Sequence, residues 1–141
     1  MKNESPSRHV LVVDDEESQR TVLAGFLRKR GLQVSTAGSV DEAWRLIRTT
    51  VLDLVLSALR MPDGTGLDLL DRTRQLVPDL PVILMTAFGT VSTAVEAMKR
   101  GAADYLTKPV DLDELDVLVS RTLERRALES ENRELRRQLE S

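Results

Sequence analysis

The chain has 141 residues, and 20 Lys and Arg against 23 Asp and Glu leave it with a net charge of −3. That balance excludes a strongly basic nucleic-acid binder and a long acidic tail, while 41% hydrophobic residues suffice for one packed domain. Cysteine is absent and His9 is the one histidine, which excludes a disulfide framework, a thiol nucleophile and a Cys/His metal cluster. The opening MKNESPSRH lacks the apolar stretch of a signal peptide, and residues 1–8 are expected to be a flexible tail. His9–Val13 (HVLVV) reads as a buried strand. Glu17–Arg30 has helical spacing, with Val22, Phe26 and Leu27 on one face, and stops at Gly31. Gln33–Ala37 is a weaker strand. Ser39–Thr50 is a helix opened by a capping box from Ser39 to Glu42. Leu52–Leu56 (LDLVL) reads as a third strand, followed by a loop at Met61-Pro62-Asp63-Gly64, where Pro and Gly break regular structure. Leu67–Leu76 is a helix stopped before Pro78, Pro81–Met85 a fourth strand, and Ser92–Arg100 a helix ended by Gly101. Asp104–Leu106 is a short fifth strand ended by Pro109. From Asp111 the chain is helical nearly to its end.

Five alternating βα units predict an α/β domain: a doubly wound, five-stranded parallel sheet with helices on both faces and right-handed crossovers. Ligands of such sheets sit beyond the carboxyl ends of the strands. There the sequence places Asp14-Asp15, then Ser57-Ala58 with Leu59-Arg60-Met61-Pro62, then Thr86-Ala87, then Lys108-Pro109. Two adjacent carboxylates suit a hard divalent cation such as Mg²⁺. A hydroxyl and an ammonium suit the oxygens of a phosphoryl group. Taken singly, Asp14-Asp15 could cap a helix, Thr86 could sit in a turn, Lys108 could be solvated and Tyr105 could pack at the core edge. Each directly following its own strand, they form a constellation. It lacks a nucleophile.

The motifs VLVVDDE at 10–16, LRMPDGTGLDLL at 59–70, MTAFGT at 85–90 and GAADYLTKP at 101–109 resemble the receiver domain of bacterial two-component response regulators. The resemblance covers residues 9–124 and implies a flavodoxin-like sheet in the order 2-1-3-4-5. The run TAVEAMKRGAADYLTKP at 93–109 is similar to receivers of activators that work with sigma-54 RNA polymerase, in which a helical linker, an ATPase module and a DNA-binding module follow. No Walker-type G-x-x-x-x-G-K-[ST] occurs in this chain. By resemblance, Asp14, Asp15 and the backbone carbonyl of Arg60 would hold Mg²⁺. Thr86 and Lys108 would bind the phosphoryl oxygens, Tyr105 would move inward with Thr86, and Lys108–Pro109 would be a cis peptide. A sensor histidine kinase would be the phosphate donor. The expected compartment is the cytoplasm, and direct binding to nucleic acid or membrane is not expected.

The chain departs from the family pattern where an aspartate should accept the phosphate, three residues before Met61-Pro62: Ala58 stands there. A carboxylate can form an acyl phosphate; a methyl group cannot, and a metal ligand is lost with it. Side chains alternate along a strand, so Ser57 should point away from Asp15 and Lys108. Either a natural domain has given up phosphorylation, or an aspartate has been deliberately replaced in an otherwise complete site. The retention of every other site residue favours replacement, as does a chain that stops just past the linker helix. The expectation is therefore a non-enzymatic, phosphoacceptor-null receiver. Its rivals are a phosphorylation-independent interaction module and a metal-dependent phosphatase, the latter lacking any nucleophile or general base beside Asp14 and Asp15. Residues 125–141 are expected to form a helical linker. Leu128, Asn132, Leu135 and Leu139, spaced four, three and four, make a two-heptad seam that predicts a homodimeric coiled coil projecting into solvent.

Overall fold

The computed structural model describes residues 8–87 and 90–140, so the expected tail lies outside the described residues except for Arg8. Strands β1 (His9–Val13), β2 (Gln33–Ala37), β3 (Leu54–Ala58), β6 (Val82–Thr86) and β7 (Asp104–Thr107) pair in parallel in the order β2-β1-β3-β6-β7. This is the flavodoxin-like order, with two short strands intervening in the chain: β4 (Arg60–Met61) and β5 (Gly64–Thr65) form a small antiparallel hairpin. The helices are α1 (Glu17–Lys29), α2 (Val40–Thr49), α3 (Gly66–Leu76), α4 (Val91–Lys99) and α5 (Leu112–Glu140).

Alternation along the buried strands divides the core into two layers. Leu11, Val13, Val55 and Leu84 pack against Val40, Ala43 and Ile47 of α2, Leu69 and Leu70 of α3, and Ala97 of α4. Val10, Val12, Leu56 and Ile83 pack on the other face against Leu23 and Leu27 of α1 and Leu115, Val119 and Leu123 of α5. All four β1 residues from Val10 to Val13 are buried, the continuous apolar pattern of a strand covered on both faces.

Four local expectations need correction. The third strand runs two residues later than the apolar run LDLVL suggested. Asp53 turns its carboxylate to the His9 amide, 2.9 Å away, and Ser57 and Ala58 remain in the ladder opposite Val13 and Met85. The Met61–Gly64 segment is the tip of the β4–β5 hairpin, closed onto α2 because the Asp63 carboxylate accepts from the amides of Val40 and Asp41 at 2.9 and 3.0 Å. On α1 the buried residues are Leu23, Ala24 and Leu27, while Val22 is 54% exposed; one position turns a helix by about 100°, so Val22 misses the core. At the start of α2, Ser39 accepts from Glu42 N, but the Glu42 carboxylate accepts from Gly38 N and leaves the box half made.

Helix α5 is continuous for 29 residues, roughly 43 Å at 1.5 Å per residue. Asp111 Oδ1 caps it by accepting from the amides of Asp113 and Glu114. Its second half does not simply leave the domain. The Arg126 guanidinium donates to the carbonyls of Asp79 and Leu52 and sits 3.6 Å from Asp53 Oδ1, and Arg133 pairs with Asp79 at 3.2 Å. Arg8 donates to the Leu123 carbonyl at 2.8 Å.

Candidate functional site

The sheet register assembles the site. Val13 lies opposite Ser57, Ala58 opposite Met85, and Thr86 opposite Thr107. The strands therefore end level, and Asp14, Ala58, Thr86 and Lys108 come to one edge of the sheet. A cleft of about 200 Å³ opens there, lined among others by Asp15, Glu16, Ala58, Arg60, Thr86 and Lys108. Gly66, the first residue of α3, lets that helix close against the end of β3: a Cβ at this position would sit 2.5 Å from the Ala58 carbonyl oxygen.

Asp14 is fully buried and its charge is answered. Lys108 Nζ donates to Asp14 Oδ2 at 2.7 Å, the Glu16 amide donates to Oδ1 at 3.1 Å, and Arg20 donates to the Asp14 carbonyl at 2.7 Å. A buried carboxylate persists only when paired and hydrogen-bonded, and Lys108, whose side chain is 18% exposed, supplies the pairing charge. Glu16, 3.9 Å from Lys108, is largely exposed and adds little. Asp15 is exposed on the cleft, Thr86 is buried at the end of β6, and the Ala58 methyl forms part of the wall. Ser57 is buried, donates to the Ala58 carbonyl at 2.9 Å and is not among the residues lining the cleft. The Lys108–Pro109 peptide bond is cis.

Tyr105 packs against the core layer that contains Leu84 and Ala97. Its hydroxyl is 2.8 Å from Thr93 Oγ1, and Thr93 forms the α4 capping box with Thr90. Sequence reasoning missed Thr93; the Thr90-x-x-Thr93 spacing before an amphipathic stretch was the available signal. Arg20, which steadies the Asp14 backbone, carried no such signal.

The donor set suits a divalent cation only in part. Asp15 and the Arg60 backbone stand at the cleft, but Asp14 is engaged with Lys108, and Ala58 offers no oxygen. Among the described residues no group of three or more His, Cys, Asp or Glu gathers as a metal site. A hard cation takes six or more oxygen ligands, and water would have to supply most of them here. On α5, Leu128, Leu135 and Leu139 are 60%, 51% and 85% exposed, and Asn132 is exposed with them.

Comparison with known proteins agrees with this fold. The chain is 44% identical over 114 residues to the DNA-binding transcriptional regulator NtrC of Azospirillum brasilense, covering 81% of the chain and 24% of that protein. It is 44% identical over 121 residues to the response regulator protein PilR of Pseudomonas aeruginosa, covering 86% of the chain and 27% of that protein. The chain thus spans about a quarter of the length of these curated relatives. The beryllofluoride-activated NtrC4 receiver domain dimer superimposes with a TM-score of 0.80 at 35% identity, covering 84% of this chain and 98% of that one. Residues 10–120 match the response regulator receiver domain family, and the chain belongs to that family.

Proposed function

We propose that this domain is a phosphorelay receiver whose phosphotransfer is disabled because Ala58 occupies the acceptor position. The observation that carries this reading is the wall of the cleft. Asp15, Thr86 and Lys108 surround Ala58, and the one group missing is a carboxylate able to attack phosphorus. Asp14 and Asp15 with the Arg60 carbonyl are the metal side of the site; Thr86 and Lys108 are the phosphoryl side. Receiver domains bind Mg²⁺ at this acidic site, and here the cation is held weakly for want of the third carboxylate. The survival of every other group favours an aspartate replaced by design in an intact site. Tyr105, with its hydroxyl on Thr93, is the switch aromatic. The intact parent accepts phosphate from a sensor histidine kinase in the cytoplasm and controls the ATPase and DNA-binding modules of a sigma-54 activator. The relatives' names and the quarter-length match support this reading. Residues 9–124 are the receiver and 125–141 the dimerising linker.

The test is chemical. Acetyl phosphate with Mg²⁺ should leave this protein's mass unchanged, while Ala58→Asp should gain one phosphoryl group. A phosphate on the Ala58 protein would overturn the assignment of position 58.

A further inference from the structure

Strand β1 runs into a backbone carbonyl that the sheet does not satisfy. The Asp14 amide still donates to the Ala37 carbonyl at 3.0 Å. A residue's N–H and C=O leave a strand on the same side, so the Asp14 carbonyl faces the path of β2. There the ladder has ended, because β2 stops at Ala37. Arg20, one turn into α1, supplies the missing donor: its Nη1 lies 2.7 Å from the Asp14 carbonyl oxygen. Among the described residues this guanidinium forms no ion pair, so the carbonyl is its one polar partner.

The guanidinium rests on Gly38, the first residue after β2. A Cβ there would lie 2.9 Å from Arg20 Nη1 and 3.5 Å from its Cζ, the first of these well inside van der Waals contact. Gly38 has no positive φ, so space and not backbone conformation calls for a glycine. The atom that a methyl group would push aside is the one that donates to Asp14. The Gly38 amide donates to Glu42 Oε1 at 2.8 Å, which ties this turn to α2. Asp14 is thereby held at its amide, its carbonyl and both carboxylate oxygens. The next side chain, the Asp15 carboxylate, lines the cleft and has no hydrogen bond or ion pair among the described residues. Its direction is set by the backbone that carries it.

We propose that Arg20, seated on Gly38, is a positioning residue of the receiver site: it locks the Asp14 carbonyl at the β1–α1 junction and so holds the Asp15 carboxylate toward the cleft. This rests on the reading of Asp14 and Asp15 as the metal side of that site. Arg20 acts through the backbone and touches no reacting group. Gly38 belongs to the same device, since it is the space that lets the guanidinium reach the carbonyl.

The test uses the full chain, with NMR of the Asp14 carbonyl carbon and of the Asp15 and Glu16 amides. Arg20→Met and Gly38→Ala should each move the Asp14 carbonyl resonance upfield, the direction for a lost hydrogen bond, and Arg20→Lys should restore most of the shift. Gly38→Ala leaves Arg20 itself in place and keeps the proposal testable should Arg20→Met fail to fold. Mg²⁺ is then titrated into the Ala58→Asp protein, which has the third carboxylate. There Arg20→Met and Gly38→Ala should each raise the Mg²⁺ half-saturation about fivefold, the worth of one hydrogen bond, with Arg20→Lys within about twofold of its parent. An Asp14 carbonyl resonance unmoved by Gly38→Ala would overturn the seat. Variants that lower the melting temperature but leave the Mg²⁺ half-saturation unchanged would make Arg20 a structural anchor and overturn the positioning role alone. If Ala58→Asp binds no Mg²⁺ at all, the receiver reading of the acidic pair fails and takes the proposal with it.

Discussion

At the scale of single residues, the site is governed by which carboxylates have a counter-charge. Asp14 has Lys108 at 2.7 Å, whereas Asp15 faces the cleft beside the Ala58 methyl. A third carboxylate at position 58 would meet Asp15 with Lys108 already engaged, and like charges that close disfavour ionisation. Ala58→Asp should therefore lower stability in metal-free buffer by about 1 kcal/mol. Added Mg²⁺ should narrow or reverse the gap by binding the folded variant. Paired thermal melts read this directly; a gap indifferent to Mg²⁺ would count against the site. Asp63 carries a separate pH dependence. Hydrogen bonds from the Val40 and Asp41 amides hold its carboxyl below the usual aspartate value. A folded pKa below the unfolded value of about 3.9 means that its stabilisation is present above that value. It is lost as pH falls through the folded pKa. Asp63→Ala should lower the urea midpoint at pH 7, and the difference from the parent should fade as pH falls below the ordinary aspartate range. A difference unchanged with pH would refute the ionic cap.

At the scale of elements, α5 is the clearest case of a helix anchored by side chains outside the core. Arg126 and Arg133 are seven positions apart and so lie on one stripe. Both reach Asp79, in the turn between α3 and β6. The helix is thereby held against the domain well past Leu123, the last buried residue of its core face. Such partly exposed pairs are worth about 1 kcal/mol or less apiece, so Asp79→Ala should spare the global fold. It should lower amide-exchange protection in the turn around Arg133, where opening is local, while the Arg126 bond to the Asp79 backbone carbonyl survives; unchanged protection there would show the Arg133 pair to be idle. This clamp also shows what the sequence could and could not disclose. Strand identity and the convergence of Asp14, Thr86 and Lys108 were legible, because buried runs and strand-end residues are local signals, whereas the sheet order was implied by the family resemblance. The Asp63 cap on α2, the Thr93–Tyr105 contact and the Arg126–Asp79 contact join residues 22, 12 and 47 positions apart. None carries a local pattern. The end of β3 differs from the expectation for a related reason: Ser57 and Ala58 look like loop residues, and only their pairing opposite Val13 and Met85 keeps them in the ladder.

At the scale of the whole molecule, the clamp decides how α5 can meet a partner. With Arg126 and Arg133 turned to the domain, positions 128 and 135 lie two residues further round, about 200° away. Leu128, Leu135 and Leu139 are exposed on that far side. An isolated helical extension gains little from propensity alone, so this seam is expected to be stabilised by burial against a second copy. Parallel pairing sets Asn132 against its twin, a polar pair that fixes register and favours two chains over three. It would also set both receivers on the outer flanks of the coil. Two heptads alone are marginal, so receiver surfaces must contribute. The exposed Val91, Val95 and Met98 of α4 and Val117 of α5 offer the apolar area for that. The expected assembly is a two-fold symmetric homodimer. Light scattering should give about twice the 15.8 kDa chain mass. Leu128→Glu with Leu135→Glu, or truncation after Arg125, should shift it to monomer without loss of the receiver fold, because neither leucine is part of the core. A monomer at tens of micromolar, or a dimer indifferent to both glutamates, would leave α5 as a solvated helix held by its arginines alone.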